Sequence, residues 1–168
     1  MDCTTDQMEI KSRMVAWFRS YANRIDSKQI ELNSIPPNVV NDLGANGFFA
    51  MGVRKEYGGL ELPLQDILEI LELIAAGDIA VSIMILDSLL SAHTLSDCAD
   101  ESIKQSYLPG IASGKILSSV GITETEAGSN PRAMTSRATK DEDGNWILNG
   151  SKRWVGYCLL YTSPSPRD

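Results

Sequence analysis

The amino-acid sequence predicts an α+β fold, in which an N-terminal α-helical bundle is followed by the first antiparallel strands of an incomplete β-barrel domain. Apolar residues recur at helical spacing up to Gly114, and beyond it they alternate with other residues as they do in strands. A turn signal at Asp143-Gly144 separates two of the alternating runs. We therefore predict a helical domain over residues 1–114 and a partial β domain over residues 115–157.

The first predicted helix follows Thr4 and Gln7, which have capping-box spacing. Its apolar stripe consists of Ile10, Met14, Trp17, Phe18, Tyr21 and Ile25. A short second helix begins at Pro36-Pro37 and ends at Gly44 or Gly47. The sequence Tyr57-Gly58-Gly59-Leu60 then predicts a tight turn with positive φ.

A third helix is predicted from about residue 63 to 76. Its apolar stripe consists of Leu64, Ile67, Leu68, Leu71, Ile74 and Ala75. After Gly77, Asp78 is expected to cap a fourth helix from Ile79 to about Leu95. That helix is apolar nearly all round, but polar residues interrupt it before the roughly twenty apolar residues that a bilayer requires. We predict a helix buried in the bundle and no membrane span.

A further helix is expected from about Asp100 to Leu108, with Ile103 and Tyr107 on its apolar face. His93, the only histidine, has no second ligand at metal-binding spacing, so we interpret it as a core or surface residue and predict no metal site. The predicted strands are 116–122, 134–140, 145–148 and the start of another at 152–156.

Residues 158–168 differ from the rest of the chain. They resemble the translation of a transposase adapter used in sequencing libraries, and we expect the native sequence to end near Tyr157. The net charge of −7 and the pI near 4.7 argue against nucleic acid or an anionic membrane as the main partner. The acidic N-terminus and three widely spaced cysteines favour a reducing, cytoplasmic location, or the mitochondrial matrix in a eukaryote.

The segment 120–130 and Trp154 carry the residues best suited to chemistry. Gly128 allows backbone N–H groups to approach a ligand, and Ser129 adds a hydroxyl, as in a phosphate site. Thr123 is able to bind a polar ring edge, and Trp154 offers a face for a planar cofactor. Taken singly, the loop residues are also typical of a plain turn and Trp154 of a core residue.

These motifs together resemble those of the acyl-CoA dehydrogenase family. The sequence from Thr123 to Asn130 is similar to the family's T-E-P-x-A-G-S-D flavin loop, and that from Leu148 to Val155 to its L-N-G-x-K-x-W-I segment. The segments 57–60 and 107–114 match its helical-domain signatures. The resemblance covers essentially all of residues 1–157 and makes residues 115–157 the start of the family's middle β domain.

The resemblance implies an FAD-dependent oxidation of an acyl thioester to its α,β-unsaturated form, in fatty acid metabolism. The implied cofactor-binding residues are Val120, Gly121, Ile122, Thr123, Glu124, Ala127, Gly128, Ser129, Trp154, Val155 and Gly156. Ser129 is also implied to approach the substrate, which is an acyl-CoA or acyl-carrier thioester. An electron-transfer flavoprotein is the implied electron acceptor, and the full-length protein is expected to be a dimer or tetramer.

The catalytic residue stays unknown, because the family places its base in a C-terminal helical domain. We do not assign that role to Glu124 or Glu126, since exposed loop carboxylates are usually solvated. Thr125 and Glu126 depart from the family's Pro and small residue, Asn130 replaces an Asp, and Gly156 stands where many members have a Thr that contacts flavin N5. Because the β domain is incomplete and members of the family complete the flavin site with the C-terminal helical domain and a neighbouring subunit, we expect residues 1–157 alone to be inactive and to bind FAD poorly.

Other functions stay open. A related acyl-CoA oxidase or flavin monooxygenase keeps the fold but changes the reaction. A non-catalytic helical interaction module makes the loop a plain turn.

Overall fold

The computed structural model describes residues 5–22, 35 and 37–157. It contains five α-helices in these ranges: α1 Thr5–Ala22, α2 Pro37–Ala45, α3 Leu64–Gly77, α4 Ile79–Cys98 and α5 Glu101–Ala112. Two short 3-10 turns occupy Lys55–Tyr57 and Pro131–Ala133. The only strands in the described ranges are β1 Arg137–Lys140 and β2 Trp146–Asn149, which pair antiparallel. The predicted order of a helical bundle followed by antiparallel strands is confirmed.

Helix α1 packs its predicted stripe into the bundle. Met14 and Phe18 are buried, and Trp17 stacks on Tyr21 with ring centroids 4.6 Å apart. On the polar side, the Lys11 ammonium donates to Asp66 and Glu69 of α3. Of the residues predicted for this helix, Thr4 and Ile25 lie outside the described residues.

Helix α2 follows its prediction closely. It begins at Pro37, and its apolar residues Val39, Val40 and Leu43 enter the core. The segment 48–51 that follows is buried throughout. Backbone hydrogen bonds from Leu60 and Leu62 to the Ala50 and Met51 carbonyls join this segment to the chain that leads to α3.

The predicted turn at Tyr57-Gly58-Gly59 is confirmed, with Gly58 at φ +81°. A Cβ on Gly59 would overlap the carbonyl oxygen of Val53, so the backbone packs there at a distance that only glycine allows. The Tyr57 hydroxyl donates to the Glu101 carboxylate, which joins this turn to α5. Desolvation and Glu101 raise the pKa of Tyr57, so the hydroxyl keeps its proton and remains the donor.

Helix α3 buries Ile67, Leu71 and Ile74 of the predicted stripe but not its other leucines. Leu64 is 70% exposed and Leu68 is 54% exposed, whereas Ile70, absent from the prediction, is fully buried. The buried side comprises Ile67, Ile70, Leu71 and Ile74, which continue one another at three- and four-residue steps. The helix is therefore rotated relative to the predicted stripe.

Helix α4 is capped as predicted: Asp78 accepts from the backbone N–H groups of Ala80 and Val81 at 2.8 and 3.1 Å. Helix α4 packs in the bundle as predicted, but only part of its apolar surface is buried among the described residues. One side enters the core through Val81, Met84, Ile85 and Leu89. The opposite side exposes an apolar stripe, which we call the α4 stripe, made of Ile79, Ile83, Leu86 and Leu90.

Helix α4 is also the helix in the described ranges that is long and apolar enough to cross a membrane by length and composition. Its packing against α3 and α5 is that of a bundle helix. His93 projects from its far end with a side chain 74% exposed, beside Asp97. His93 is therefore a surface residue, one of the two environments predicted for it.

Helix α5 extends through Pro109 to Ala112, four residues beyond its predicted end. A proline removes one backbone donor but leaves its own carbonyl available, and Ser113 N–H donates to the Pro109 carbonyl oxygen at 3.1 Å. The predicted apolar face was also wrong. Ile103 and Tyr107 are 40% and 50% exposed, and Leu108 and Ile111 are buried in their place.

The β region is smaller than predicted. Strands β1 and β2 form the predicted hairpin, with Ala138 opposite Leu148 and Gly144 at φ +83° in the turn. Segments 116–122 and 152–156 form no strand, because neither finds a ladder partner among the described residues. Every residue of β1 and β2 is exposed. The two strands thus form an open hairpin and not a closed barrel. The domain boundary predicted at residues 114–115 stays a prediction.

Candidate functional site

The loop after residue 123 is a tight turn closed by two backbone hydrogen bonds. Glu124 N–H donates to the Ala127 carbonyl at 3.0 Å, and Ala127 N–H donates back to the Glu124 carbonyl at 3.3 Å. Glu124 and Ala127 are buried, while Thr125 and Glu126 between them are exposed. The turn therefore points its two central side chains to the outside and fixes the positions on either side.

The Glu124 carboxylate lies at the centre of what we call the Glu124 network, formed with Thr135, Ser136 and Lys152. It accepts from Thr135 N–H at 2.7 Å, the Thr135 hydroxyl at 2.9 Å, Ser136 N–H at 3.1 Å and the Lys152 ammonium at 2.9 Å. Three segments far apart in the chain meet at this one carboxylate.

Electrostatics keep Glu124 ionised. Hydrogen bonds from Ser136, the Lys152 ammonium and the Thr135 backbone hold the pKa of Glu124 well below its usual range. The expectation that this loop carboxylate is solvated is wrong, because its side chain is only 5% exposed and is surrounded by donors. The Glu124 carboxylate therefore holds the loop in place and is a poor proton acceptor.

The loop and the segment before Trp154 lie side by side. Arg153 N–H donates to the Thr123 carbonyl at 2.8 Å, and the Lys152 ammonium donates to the Ile122 carbonyl at 3.1 Å. A Cβ on Gly121 would lie 3.4 Å from a methyl of Val155. The structure thus brings together Gly121 to Glu124 and Lys152 to Val155, which the sequence places thirty residues apart.

Trp154 lies in the second of these two neighbouring segments, and its side chain projects into solvent. Its side chain is 87% exposed and its backbone has φ +58°, an uncommon conformation for a bulky residue. The alternative interpretation of Trp154 as a core residue is therefore wrong. Backbone strain of this kind concentrates at functional sites.

Gly128 and Ser129 are both exposed beyond the turn. A Cβ on Gly128 would meet no described atom within 4 Å, so packing within the described chain does not require glycine there. Among the described residues, neither the Gly128 nor the Ser129 backbone N–H donates a hydrogen bond. Both donors are available to an anion.

The remaining predicted residues have mixed surroundings. Val120 is half-buried, and Ile122 is 50% exposed. Gly156 lies against helix α4, where a Cβ would overlap the Asp87 carboxylate. Beside it, the Ser119 hydroxyl donates to Asp87 at 3.3 Å, and the Ser88 and Tyr157 hydroxyls lie 2.8 Å apart.

Sequence reasoning missed Lys152, Thr135, Ser136 and Asp87. Lys152 could have been predicted from the sequence, because it belongs to the motif that contains Trp154. The other three hold the loop and the segment after Trp154 through contacts that no local spacing reveals.

Comparison with known proteins identifies the fold and its family. Residues 4–115 match the family described as acyl-CoA dehydrogenase, N-terminal domain. The chain belongs to the acyl-CoA dehydrogenase family. The family membership extends the resemblance found in the motifs to a match over two thirds of the sequence.

Individual family members and their structures agree. Glutaryl-CoA dehydrogenase of Desulfococcus multivorans is 35% identical over 119 residues, which cover 69% of this chain and 30% of that protein. Butyryl-CoA dehydrogenase from Megasphaera elsdenii superposes with a TM-score of 0.79 at 21% identity, covering 92% of this chain and 42% of that one. A glutaryl-CoA dehydrogenase from Mycobacterium smegmatis in complex with FADH2 gives a TM-score of 0.77 at 25% identity over 90% and 39%.

These acyl-CoA dehydrogenases are oxidoreductases, and all are longer than this chain. The chain spans between 30% and 42% of the length of the proteins compared. The compared portion contains the acyl-CoA dehydrogenase helical domain and the start of its β domain.

Proposed function

We propose that the full-length protein is an FAD-dependent acyl-CoA dehydrogenase that oxidises an acyl thioester to its α,β-unsaturated form. The observation that carries the proposal is the junction between the 120–129 loop and the exposed indole of Trp154. The Glu124 network and the hydrogen bond from Arg153 N–H to the Thr123 carbonyl fix the backbone of the loop relative to the backbone that precedes Trp154. A rigid pair of this kind suits a cofactor with a planar ring at one end and phosphates at the other.

The residues present fit FAD in shape and in hydrogen bonding. The free face of Trp154 suits a planar ring, with Val155 and Gly156 beside it. The free N–H groups of Gly128 and Ser129, with the Ser129 hydroxyl, suit a pyrophosphate. Bound FAD would supply the two-electron redox chemistry, and the protein would supply binding and orientation.

Charge at the site is nearly balanced. Glu124 is neutralised by Lys152, so the buried carboxylate does not repel phosphates strongly. Glu126 is exposed on the same turn and adds a negative charge that solvent screens. We therefore expect Glu126 to weaken phosphate binding slightly and Glu124 to support it.

The thioester substrate is proposed to approach Ser129, and its carrier is either CoA or an acyl carrier protein. The base that removes a proton from the substrate is not among the residues assigned here. Glu124 is excluded by its low pKa and its four donors. We propose that the rest of the full-length chain supplies the base, since the related proteins are more than twice as long.

Partners and location complete the proposal. We propose an electron-transfer flavoprotein as the electron acceptor, a homo-oligomeric full-length protein, and a cytoplasmic or, in a eukaryote, mitochondrial matrix location. An acidic chain of this composition suits a soluble compartment.

The proposal is tested on the purified full-length gene product. We expect visible flavin absorbance that bleaches when an acyl-CoA is added without oxygen. A colourless protein after reconstitution with FAD would refute the proposal. Rapid oxygen consumption during turnover would favour the oxidase or monooxygenase instead.

Two tryptophans provide a matched comparison within the same protein. Trp154→Ala should weaken FAD binding about two- to tenfold, the range expected for loss of one aromatic contact. Trp146→Ala removes another exposed indole, on β2, and should leave FAD affinity unchanged. Equal effects of the two substitutions would place the ring elsewhere.

A further inference from the structure

We propose that Asp87 is a positioning residue of the cofactor site: its carboxylate occupies the side-chain space of Gly156 and places a negative charge beside the ring. This inference rests on the proposed function, because it takes Trp154 to Gly156 as the segment that borders the ring. The contact between Asp87 and Gly156, from which the inference is argued, does not depend on the proposed function.

The contact is close and specific. A Cβ on Gly156 would overlap Asp87 Oδ2 and would lie 2.9 Å from the Ser119 hydroxyl oxygen. Ser119 itself donates to the same Asp87 oxygen at 3.3 Å. Asp87, Ser119 and Gly156 therefore form one packed unit, in which a side chain at residue 156 would displace the Asp87 carboxylate.

The position of Asp87 is unusual for a charged residue. It is the only Asp, Glu, Lys or Arg between residues 79 and 96, in a helix that is otherwise apolar and small-polar. It is half-buried, and no cation pairs with it in the part of the chain that the structure describes. A half-buried carboxylate without a cation costs stability, so a packing role alone does not explain it.

Neighbouring contacts hold the same unit to α4. The Tyr157 hydroxyl donates to the Met84 carbonyl and lies 2.8 Å from the Ser88 hydroxyl. Residues 84, 87 and 88 share one side of α4 because they are three and four residues apart. This side of the helix thus fixes the backbone that follows Trp154, and Asp87 supplies its only charge.

The charge has a consequence for a bound ring. Reduction by a hydride adds negative charge to the ring, and a nearby carboxylate opposes that charge. Asp87 should therefore lower the reduction potential of the bound cofactor. Asparagine has nearly the same shape, so Asp87→Asn separates charge from packing.

The packing of Asp87 against Gly156 is tested with Gly156→Ala, Asp87→Ala and the double variant in the full-length protein. We expect Gly156→Ala to displace the Asp87 carboxylate, and therefore to lower the thermal unfolding midpoint and to weaken FAD binding about tenfold. Asp87→Ala in the same chain should restore most of both losses. Additive losses, or no effect of Gly156→Ala, would overturn the pairing.

The effect of the Asp87 charge on the reduction potential is tested by redox titration of bound FAD. Asp87→Asn should raise the potential by about 30 mV, which corresponds to a tenfold change in relative affinity for reduced and oxidised flavin. Asp97→Asn, on the exposed end of the same helix, is the control and should not shift it. An unchanged potential in Asp87→Asn would overturn the charge role.

Failure of the two proposals can be told apart. If the wild-type protein binds no FAD, the proposed function fails and the charge role fails with it. The unfolding midpoints of the apo-protein variants still decide whether Asp87 and Gly156 are coupled.

Discussion

Glu124 joins three segments through a single carboxylate, and this predicts a pH dependence of stability. The folded-state pKa of Glu124 lies below its ordinary value of 4.5. Its contribution is therefore fully present above that pH and is lost as the pH falls towards the folded-state pKa. Glu124→Gln should lower the unfolding midpoint of the full-length apo-protein by several degrees at pH 7 and flatten its decline in acid.

Glu126→Gln is the matched control for this experiment, because Glu126 is exposed on the same turn. It should leave both the midpoint and its acid profile unchanged. A Glu124→Gln profile parallel to that of the wild type would show that the carboxylate is not the origin of the pH dependence. Lys152→Met should destabilise in the same direction, since it leaves a buried carboxylate without its cation.

At the level of single residues, short motifs in the sequence predict candidate binding residues, but they do not predict the residues that hold those segments together. Thr123, Gly128 and Trp154 belong to short motifs whose residue types suggest ring and phosphate contacts. Thr135, Ser136 and Asp87 carry no such pattern, because their roles depend on contacts between residues that are 11 (Glu124 and Thr135) to 69 (Asp87 and Gly156) positions apart. Such contacts follow from the folded backbone and not from spacing.

At the level of elements, capping of α4 offers a controlled stability test. Asp78→Ala removes a carboxylate that accepts from two backbone N–H groups, and should cost about 1 kcal/mol in the free energy of unfolding. Asp100 stands at the same position of α5 but makes no side-chain cap hydrogen bond. Asp100→Ala should therefore cost much less. Urea unfolding of both variants checks this, and equal losses would contradict the capping argument.

The helices were predictable because their signals are local. Proline at the start of α2 and Gly77-Asp78 between α3 and α4 mark boundaries that the structure keeps to within a residue or so. The predicted strand at 116–122 failed for the opposite reason. Alternation shows that a segment is able to pair, but a ladder needs a partner strand, and the described residues provide none.

At the level of the whole molecule, apolar surfaces are exposed in a chain that spans only part of the length of its relatives. The hairpin is exposed on both faces, and the apolar residues of the α4 stripe are exposed as well. A soluble protein rarely leaves a continuous apolar stripe uncovered. We expect the remainder of a full-length chain, some three fifths of the length of its relatives, to cover these surfaces.

The α4 stripe provides the test of that expectation. Ile83 and Leu86 are 51% and 39% exposed here, so replacing both with Asn should reduce self-association of residues 1–157, measured by sedimentation. In the full-length protein the same pair should cost about 1.5–3 kcal/mol per side chain, because both would be buried there. Tyr107→Asn, an exposed residue of α5, is the control for general surface effects. A full-length double variant as stable as the wild type would mean that the stripe stays open, and its role would then be sought in contacts between separate molecules.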